Sequence, residues 1–337
     1  MTQEFTKQTA NEAAYLESMR SHSLHVWSVL QKSLAELDLA RHGVITVYAV
    51  GSIGRLEVNE NSDVDGVVVV EDEFEQNQLR PLMEAIESNY AAAGLRVAKG
   101  TGIYRQPVTR TALLDEGARG SLSESPDVYG KRIQLMLDAR VLYHEAAFLE
   151  LQQHVLEWFL PASQTGAGLR SSFLLAELKR YYNAYSNWQR FKFDKSADDG
   201  WLLRQAKLKI TRTTTIMAVS LLIGGATDRK RKISIGKHLS LTPLERIQSV
   251  FNYYDEHDAA AHYAKLYNSA LSLISDAGVR RKLIIASPVT EAEIGAGFPP
   301  EFSEICVLSD QMGEIITRFV LRRQHDWLIE FYRQALF

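Results

Sequence analysis

The stretch whose reading decides the fold is Val44-Ile45-Thr46-Val47-Tyr48-Ala49-Val50-Gly51-Ser52-Ile53-Gly54-Arg55-Leu56-Glu57-Val58-Asn59-Glu60-Asn61-Ser62-Asp63-Val64-Asp65-Gly66-Val67-Val68-Val69-Val70. Its first part is apolar and β-branched, as a buried strand requires, and it stops at Gly51-Ser52. A second strand follows, with Asp63 and Asp65 leading into the run Gly66 to Val70. At the turn between them, Gly51 has no Cβ and lets backbone approach a ligand closely. Ser52 offers a hydroxyl and an N–H in what reads as the first turn of a short helix, where exposed N–H groups suit phosphate oxygens. Residues two apart on a strand share a face, so the carboxylates of Asp63 and Asp65 project together beside this turn. Two such acids repel each other unless a cation lies between them, and Mg²⁺ favours carboxylate plus phosphate oxygens. A pair of ions about 3.5–4 Å apart can clamp the attacking and leaving oxygens of a phosphoryl displacement.

Outward from that stretch, the bulk composition sets bounds. With 337 residues the chain can form two domains, each with its own core. An apolar fraction of 46% and a charged fraction of 23% exclude a disordered or fibrous chain. A net charge of -3 gives no global attraction for nucleic acid or an anionic membrane, so any polyanion site must be local. The single cysteine, Cys306, can build neither an internal disulfide nor a thiolate cluster, which fits a reducing compartment. Met1 to Arg20 carries Glu4, Glu12 and Glu17 with no apolar core, unlike a signal peptide. The longest apolar run, Ile216 to Ile223, is far short of the roughly 20 residues that span a bilayer. The expectation is a soluble, cytoplasmic protein with no membrane partner.

Periodicity organises the rest. Helical spacing from about Asn11 to Leu39 precedes the first strand, and a helix from about Phe74 to Ala93 is closed by Gly94. Leu95 to Tyr104 reads as a third strand. Beyond Val128 the pattern is helical almost to the end: Tyr129 to Leu142, Glu145 to Phe159, Ser171 to Phe191, Gly200 to Ile223, two or three helices between Pro243 and Ile274, and Ser303 to Leu336. Pro161 to Gly168 has turn residues without apolar periodicity and reads as a linker. The fold class is therefore α+β. A small α/β domain with a short mixed sheet, residues 1–127, precedes a larger all-α domain, residues 128–337.

Gly51-Ser52, ten intervening residues and then Asp63-Val64-Asp65 before a valine strand resemble the signature of the polymerase-β nucleotidyltransferase superfamily. The denser pattern, with Gly54-Arg55-Leu56-Glu57 and Asn61-Ser62-Asp63, is similar to the PII-type uridylyltransferases and their uncharacterised bacterial relatives. The resemblance implies transfer of a nucleoside monophosphate from a nucleoside triphosphate to an acceptor, with release of pyrophosphate. It implies dependence on Mg²⁺, with Mn²⁺ as a substitute. It also makes Asp63 and Asp65 the metal ligands and catalytic acids, and places Gly51, Ser52, Arg55 and Ser62 at the nucleotide. The acceptor stays open among a protein side chain, a small molecule, an RNA end and a second nucleotide. One departure stands out. Such enzymes usually carry a third carboxylate on the strand after the intervening helix, yet no acid occurs from Ser88 to Leu114. Asp115 or Glu116 is the substitute if a shifted strand runs from Thr109 to Leu114. Without a third acid, the alternative is an Mg-NTP-binding sensor of weak or no turnover.

In the helical half, Arg204, Lys207 and Thr211 fall on one face by i, i+3, i+7 spacing, with Lys209 and Arg212 on a neighbouring face. This segment and Leu178-Lys179-Arg180-Tyr181-Tyr182 resemble the helical domain of those bacterial relatives, which implies Lys207 first and Arg204 second as phosphate-binding cations. Three further features read as structural. The basic run Asp228 to Lys232 reads as a solvated loop, and His257-Asp258 and His325-Asp326 lack the further ligands a metal phosphohydrolase needs. Tyr181, Tyr182, Tyr185 and Trp188 read as packing.

Overall fold

The computed structural model describes residues 2–60, 62–72, 76–97, 103–160, 167–193 and 200–336, with side chains at all of these except 2–14, 76–79, 97, 105, 167–170, 295–296 and 336. Much of the Pro161–Gly168 stretch therefore lies outside the described residues. The chain forms two compact units. An α/β unit comprises Glu17–Arg170 with Gly236–Thr242, and a helical unit comprises Met1–Leu16, Ser171–Ile235 and Pro243–Phe337.

The α/β unit follows the order α1 (Thr2–Ala35, from Glu17 onward), β1 (Val44–Val50), α2 (Gly51–Arg55), β2 (Asp63–Val70), α3 (Gln76–Ala92) and β3 (Arg96–Val97). It continues with β4 (Val108–Thr109), α4 (Arg110–Leu113), α5 (Pro126–Leu137), β5 (Arg140–Tyr143) and α6 (Glu145–Phe159). The mixed sheet runs β3-β2-β1-β5, and β4 also pairs with β2. β1 is antiparallel to both neighbours, whereas β3 and β4 lie parallel to β2 at its two ends. Every residue of β1 is buried because both faces of this central strand are covered, which explains its unbroken apolar run. On one face Val47, Ala49, Val64 and Val68 pack with Leu30 and Leu34 of α1 and with Leu82, Ile86 and Tyr90 of α3. On the other, the Tyr48 ring lies 5.7 Å from Phe148 of α6, and its hydroxyl donates to the Lys131 carbonyl of α5.

Three sequence expectations are corrected here. The helix expected over Tyr129 to Leu142 ends at Leu137, and Arg140–Tyr143 is instead a strand on the free edge of β1. Val141 and Tyr143 suit a strand, and ladder bonds to a buried neighbour outweigh the helical propensity of the adjacent leucines. The strand sought at Thr109 to Leu114 is mostly the short helix α4, with Thr109 Oγ1 accepting the Ala112 N–H at 3.2 Å as its cap. Among the described residues of Leu95 to Tyr104, Arg96–Val97 is strand and Ile103 opens a 3₁₀ turn. Residues 98–102 lie outside the described residues.

The C-terminal half contains α7 (Ala167–Phe191), α8 (Trp201–Lys207), α9 (Thr213–Ala226), the single turn α10 (Ile235–His238), α11 (Pro243–Tyr253), α12 (His257–Ser275), α13 (Ala277–Ile285), α14 (Pro300–Arg322) and α15 (Ile329–Leu336). A π-helical turn, Leu208–Arg212, joins α8 to α9. The hydroxyl of Thr213 donates to the Leu208 carbonyl at 2.9 Å, and that of Ser309 to the Lys209 carbonyl at 3.4 Å. This turn breaks the regular spacing assumed for Arg204, Lys207 and Thr211: Arg204 and Thr211 are buried, and Lys207 is half-buried. The last helix is interrupted at Trp327, which is buried and donates Nε1–H to the Tyr254 hydroxyl. The basic loop is anchored by Asp228. Its carboxylate accepts the N–H groups of Lys230 and Arg231 and the Tyr254 hydroxyl, while the Lys230 side chain stays 81% exposed. Tyr181 and Tyr185 stack at 6.2 Å, but Trp188 is exposed, so the aromatic group is not wholly core. Among the described residues, no helix is long and apolar enough to cross a membrane.

Lys131 of α5 is buried, and its ammonium donates to the Gln106 carbonyl at 2.7 Å. Burial pulls its pKa from 10.5 down to about 8. The unfolded chain then binds the proton more tightly than the folded one, so the cost is full below pH 8 and fades as pH rises toward 10.5. In urea titrations the wild type should gain stability from pH 8 to 10 relative to Lys131→Met, with the difference between the two curves isolating this group.

Candidate active site

The antiparallel register sets Val50 at the end of β1 opposite Asp65 near the start of β2. Alternation then places Asp63, exposed, and Asp65, half-buried, on the sheet face that carries Tyr48, while Val64 and Gly66 turn to the α3 side. Gly66 is required by close packing, since a Cβ there would lie 2.5 Å from the Tyr90 hydroxyl. Gly51 is required twice over. Its φ of +69° is left-handed, and a Cβ would lie 2.8 Å from Asp65 Oδ2. The second aspartate thus leans directly over the glycine turn, in the space that a side chain would fill.

The turn itself is tightly determined. Helix α2 ends at Leu56, in the left-handed region at φ 60°, with the Leu56 N–H on the Ile53 carbonyl and the Glu57 N–H on the Ser52 carbonyl. Ser62 is buried. Its hydroxyl accepts the Asn59 N–H at 3.0 Å and its own N–H donates to the Asn59 carbonyl, closing the loop before β2. The Ser62 hydroxyl therefore shapes the loop. Ser52 remains half-exposed at the turn.

Arg55 has a structural partner set that its motif did not reveal. Its Nε donates to Glu57 Oε2 at 2.7 Å and its Nη1 to Asp138 Oδ2 at 2.7 Å, with all three side chains under 10% exposed. The same Asp138 oxygen accepts the Gly51 N–H at 3.2 Å. Arg55 thus belongs to a buried ion triad with Glu57 and Asp138. Sequence reasoning missed Asp138 because it treated this stretch as one helix. The signal present was an acid between the apolar runs Leu135-Met136-Leu137 and Val141-Leu142. Removing one member of such a triad leaves uncompensated buried charge and costs about 3–5 kcal/mol.

The third acid is not supplied where it was sought. Asp115 and Glu116 follow α4 in a turn, and Asp115 Oδ1 accepts the N–H groups of Gly117 and Ala118. On β3, the residue paired with Asp63 is Arg96, a cation. Among the described residues no group of three or more His, Cys, Asp or Glu side chains is disposed to hold a metal ion. The donor set is therefore two carboxylates on one face. This fits a hard divalent cation whose remaining ligands are water and phosphate oxygens. Arg204 and Lys207 belong to the helical unit. Arg204 is buried and its guanidinium donates to the Lys192 carbonyl.

Gly54 provides a check on the turn, because a Cβ there would fall 1.6 Å from the Asp138 carbonyl oxygen. Gly54→Ala should therefore unfold or displace α2. Gly94→Ala, at a left-handed glycine (φ +77°) but with open space around it, should cost only about 1–2 kcal/mol in urea denaturation.

No curated protein matches this chain. Residues 30–115, which contain β1, the Gly51–Arg55 turn and the Asp63–Asp65 strand, match the family model of the nucleotidyltransferase domain.

Proposed function

We propose that this protein transfers a nucleoside monophosphate from a nucleoside triphosphate to an acceptor and releases pyrophosphate. The observation that carries the reading is Asp65 Oδ2 packed against the left-handed glycine of a strand–turn–helix, with Asp63 on the same face. Asp63 and Asp65 would hold Mg²⁺, or Mn²⁺ in its place, and the bound ion would neutralise charge on the triphosphate. Ser52, half-exposed beside Asp65, would meet the phosphates with its hydroxyl and N–H. Arg55, Glu57 and Ser62 would keep the turn in shape for that contact. Of the helical-unit cations, Lys207 is the first proposed for the triphosphate on the resemblance, and Arg204, whose guanidinium donates to the Lys192 carbonyl, the second.

With Arg96 paired beside Asp63 in place of an acid, the site favours an acceptor that arrives as an oxyanion and needs no base. The same feature supports a second reading, in which the domain binds Mg-NTP as a sensor without turnover. Incubation with α-labelled and γ-labelled NTPs, Mg²⁺ and cell extract separates the two. The enzyme releases pyrophosphate and labels an acceptor, whereas the sensor binds tightly and releases nothing.

For the enzyme, Asp63→Ala and Asp65→Ala should each lower pyrophosphate release at least about a hundredfold, and chelation with EDTA should abolish it. Unchanged release in both variants would sink the assignment. Lys207→Ala should raise KM for the NTP about tenfold with kcat little altered. Arg204→Ala should instead lower the melting temperature.

A further inference from the structure

Asp138 lies outside the segment that matches the nucleotidyltransferase family and carries no role in the reading above. Its side chain is completely buried, yet it is surrounded by specific polar partners. Oδ2 takes both the Arg55 guanidinium at 2.7 Å and the Gly51 N–H at 3.2 Å. Its carbonyl oxygen occupies the space beside Gly54, close enough that only a glycine fits there. The residue therefore grips α2 at both ends, at Gly51 by the side chain and at Gly54 by the backbone.

Gly51 is also the residue on which Asp65 rests. Asp65 Oδ2 would be 2.8 Å from a Cβ built on Gly51, so the aspartate occupies the open side of that glycine and has Gly51 as its wall. One glycine is thus shared by two carboxylates. Asp138 holds its N–H, and Asp65 lies on its open Cα side. Moving Gly51 changes the wall against which Asp65 is set.

We infer that Asp138 is a positioning residue for Asp65, acting through Gly51, and that it sets the geometry with which the Asp63–Asp65 pair holds a divalent cation. Arg55 supplies the countercharge that keeps the Asp138 carboxylate aimed at the Gly51 N–H, and Glu57 fixes the other side of that guanidinium. The inference rests on the assignment of Asp63 and Asp65 as metal ligands. Fixing a ligand through its outer partners is a recognised lever on metal affinity, typically worth 10- to 100-fold.

The test is direct Mn²⁺ binding, read as loss of the free-ion electron paramagnetic resonance signal, on the full chain. Asp138→Asn keeps the shape but removes the charge facing Arg55. Asp138→Ala also removes the acceptor for the Gly51 N–H. A control is Glu124→Gln, which breaks another fully buried ion pair of the same unit, that with Arg132, away from Gly51. Asp138→Asn should weaken Mn²⁺ about tenfold and Asp138→Ala more, while Glu124→Gln should stay within about twofold of wild type despite a comparable drop in melting temperature. Wild-type Mn²⁺ affinity in folded Asp138→Asn overturns the inference, and so does an equal loss in Glu124→Gln. If Asp138→Ala does not fold, Asp138→Asn decides alone. Asp65→Ala separates the two levels. If the wild type binds no Mn²⁺, or Asp65→Ala binds it as well as wild type does, the metal-ligand assignment fails and takes this inference with it.

Discussion

The α/β unit depends on the antiparallel pairing of β1 with β2, because that ladder brings the end of one strand to the start of the other and sets Val50 across from Asp65. A one-residue slip would turn Asp63 and Asp65 toward Val47, Ala49 and the apolar side chains of α1 and α3, where two carboxylates would lose their solvation. The cost of burying those two carboxylates disfavours that slip. Seven consecutive buried residues give the strand no polar face to offer solvent, so its position between helices is strongly specified.

On this frame the glycines are defined by what lies against them. Gly51 meets Asp65, Gly54 meets the Asp138 backbone and Gly66 meets Tyr90, each at a distance where a Cβ would collide. The motif is therefore a packing solution as much as a chemical one. A turn with glycines at these three points can be covered by a carboxylate, a carbonyl and a phenol at once. The Arg55–Glu57–Asp138 triad closes it from beneath, and the absence of solvent around those charges makes the arrangement stiff.

The helical unit shows a different economy. Its π-helical turn rotates the residues after Leu208 relative to those before, while in the regular helix that precedes it Arg204 is buried and Lys207 half-buried. Threonine and serine hydroxyls at Thr213 and Ser309 take up carbonyls of this turn. Cationic side chains beside it lie on aromatic rings, Arg212 over Tyr185 and Lys192 over Trp188, which lets charge sit on a partly apolar surface.

The residues alone determined what is local. A largely apolar, β-branched run without alternation is a strand buried on both faces, and a two-residue spacing on a strand puts Asp63 and Asp65 on one side. The predominance of helix beyond Val128 follows from periodicity as well. The tertiary structure decided what depends on partners distant in the chain. Arg140–Tyr143 became a strand because β1 offered an unpaired edge, and the spacing of Arg204, Lys207 and Thr211 lost its meaning at a π turn braced by Ser309. Arg55 meets Asp138, 83 residues away, and nothing in its motif announced that partner. Short-range pattern encodes propensity and facing. It does not encode which buried charge will meet which, because that depends on how the chain closes on itself.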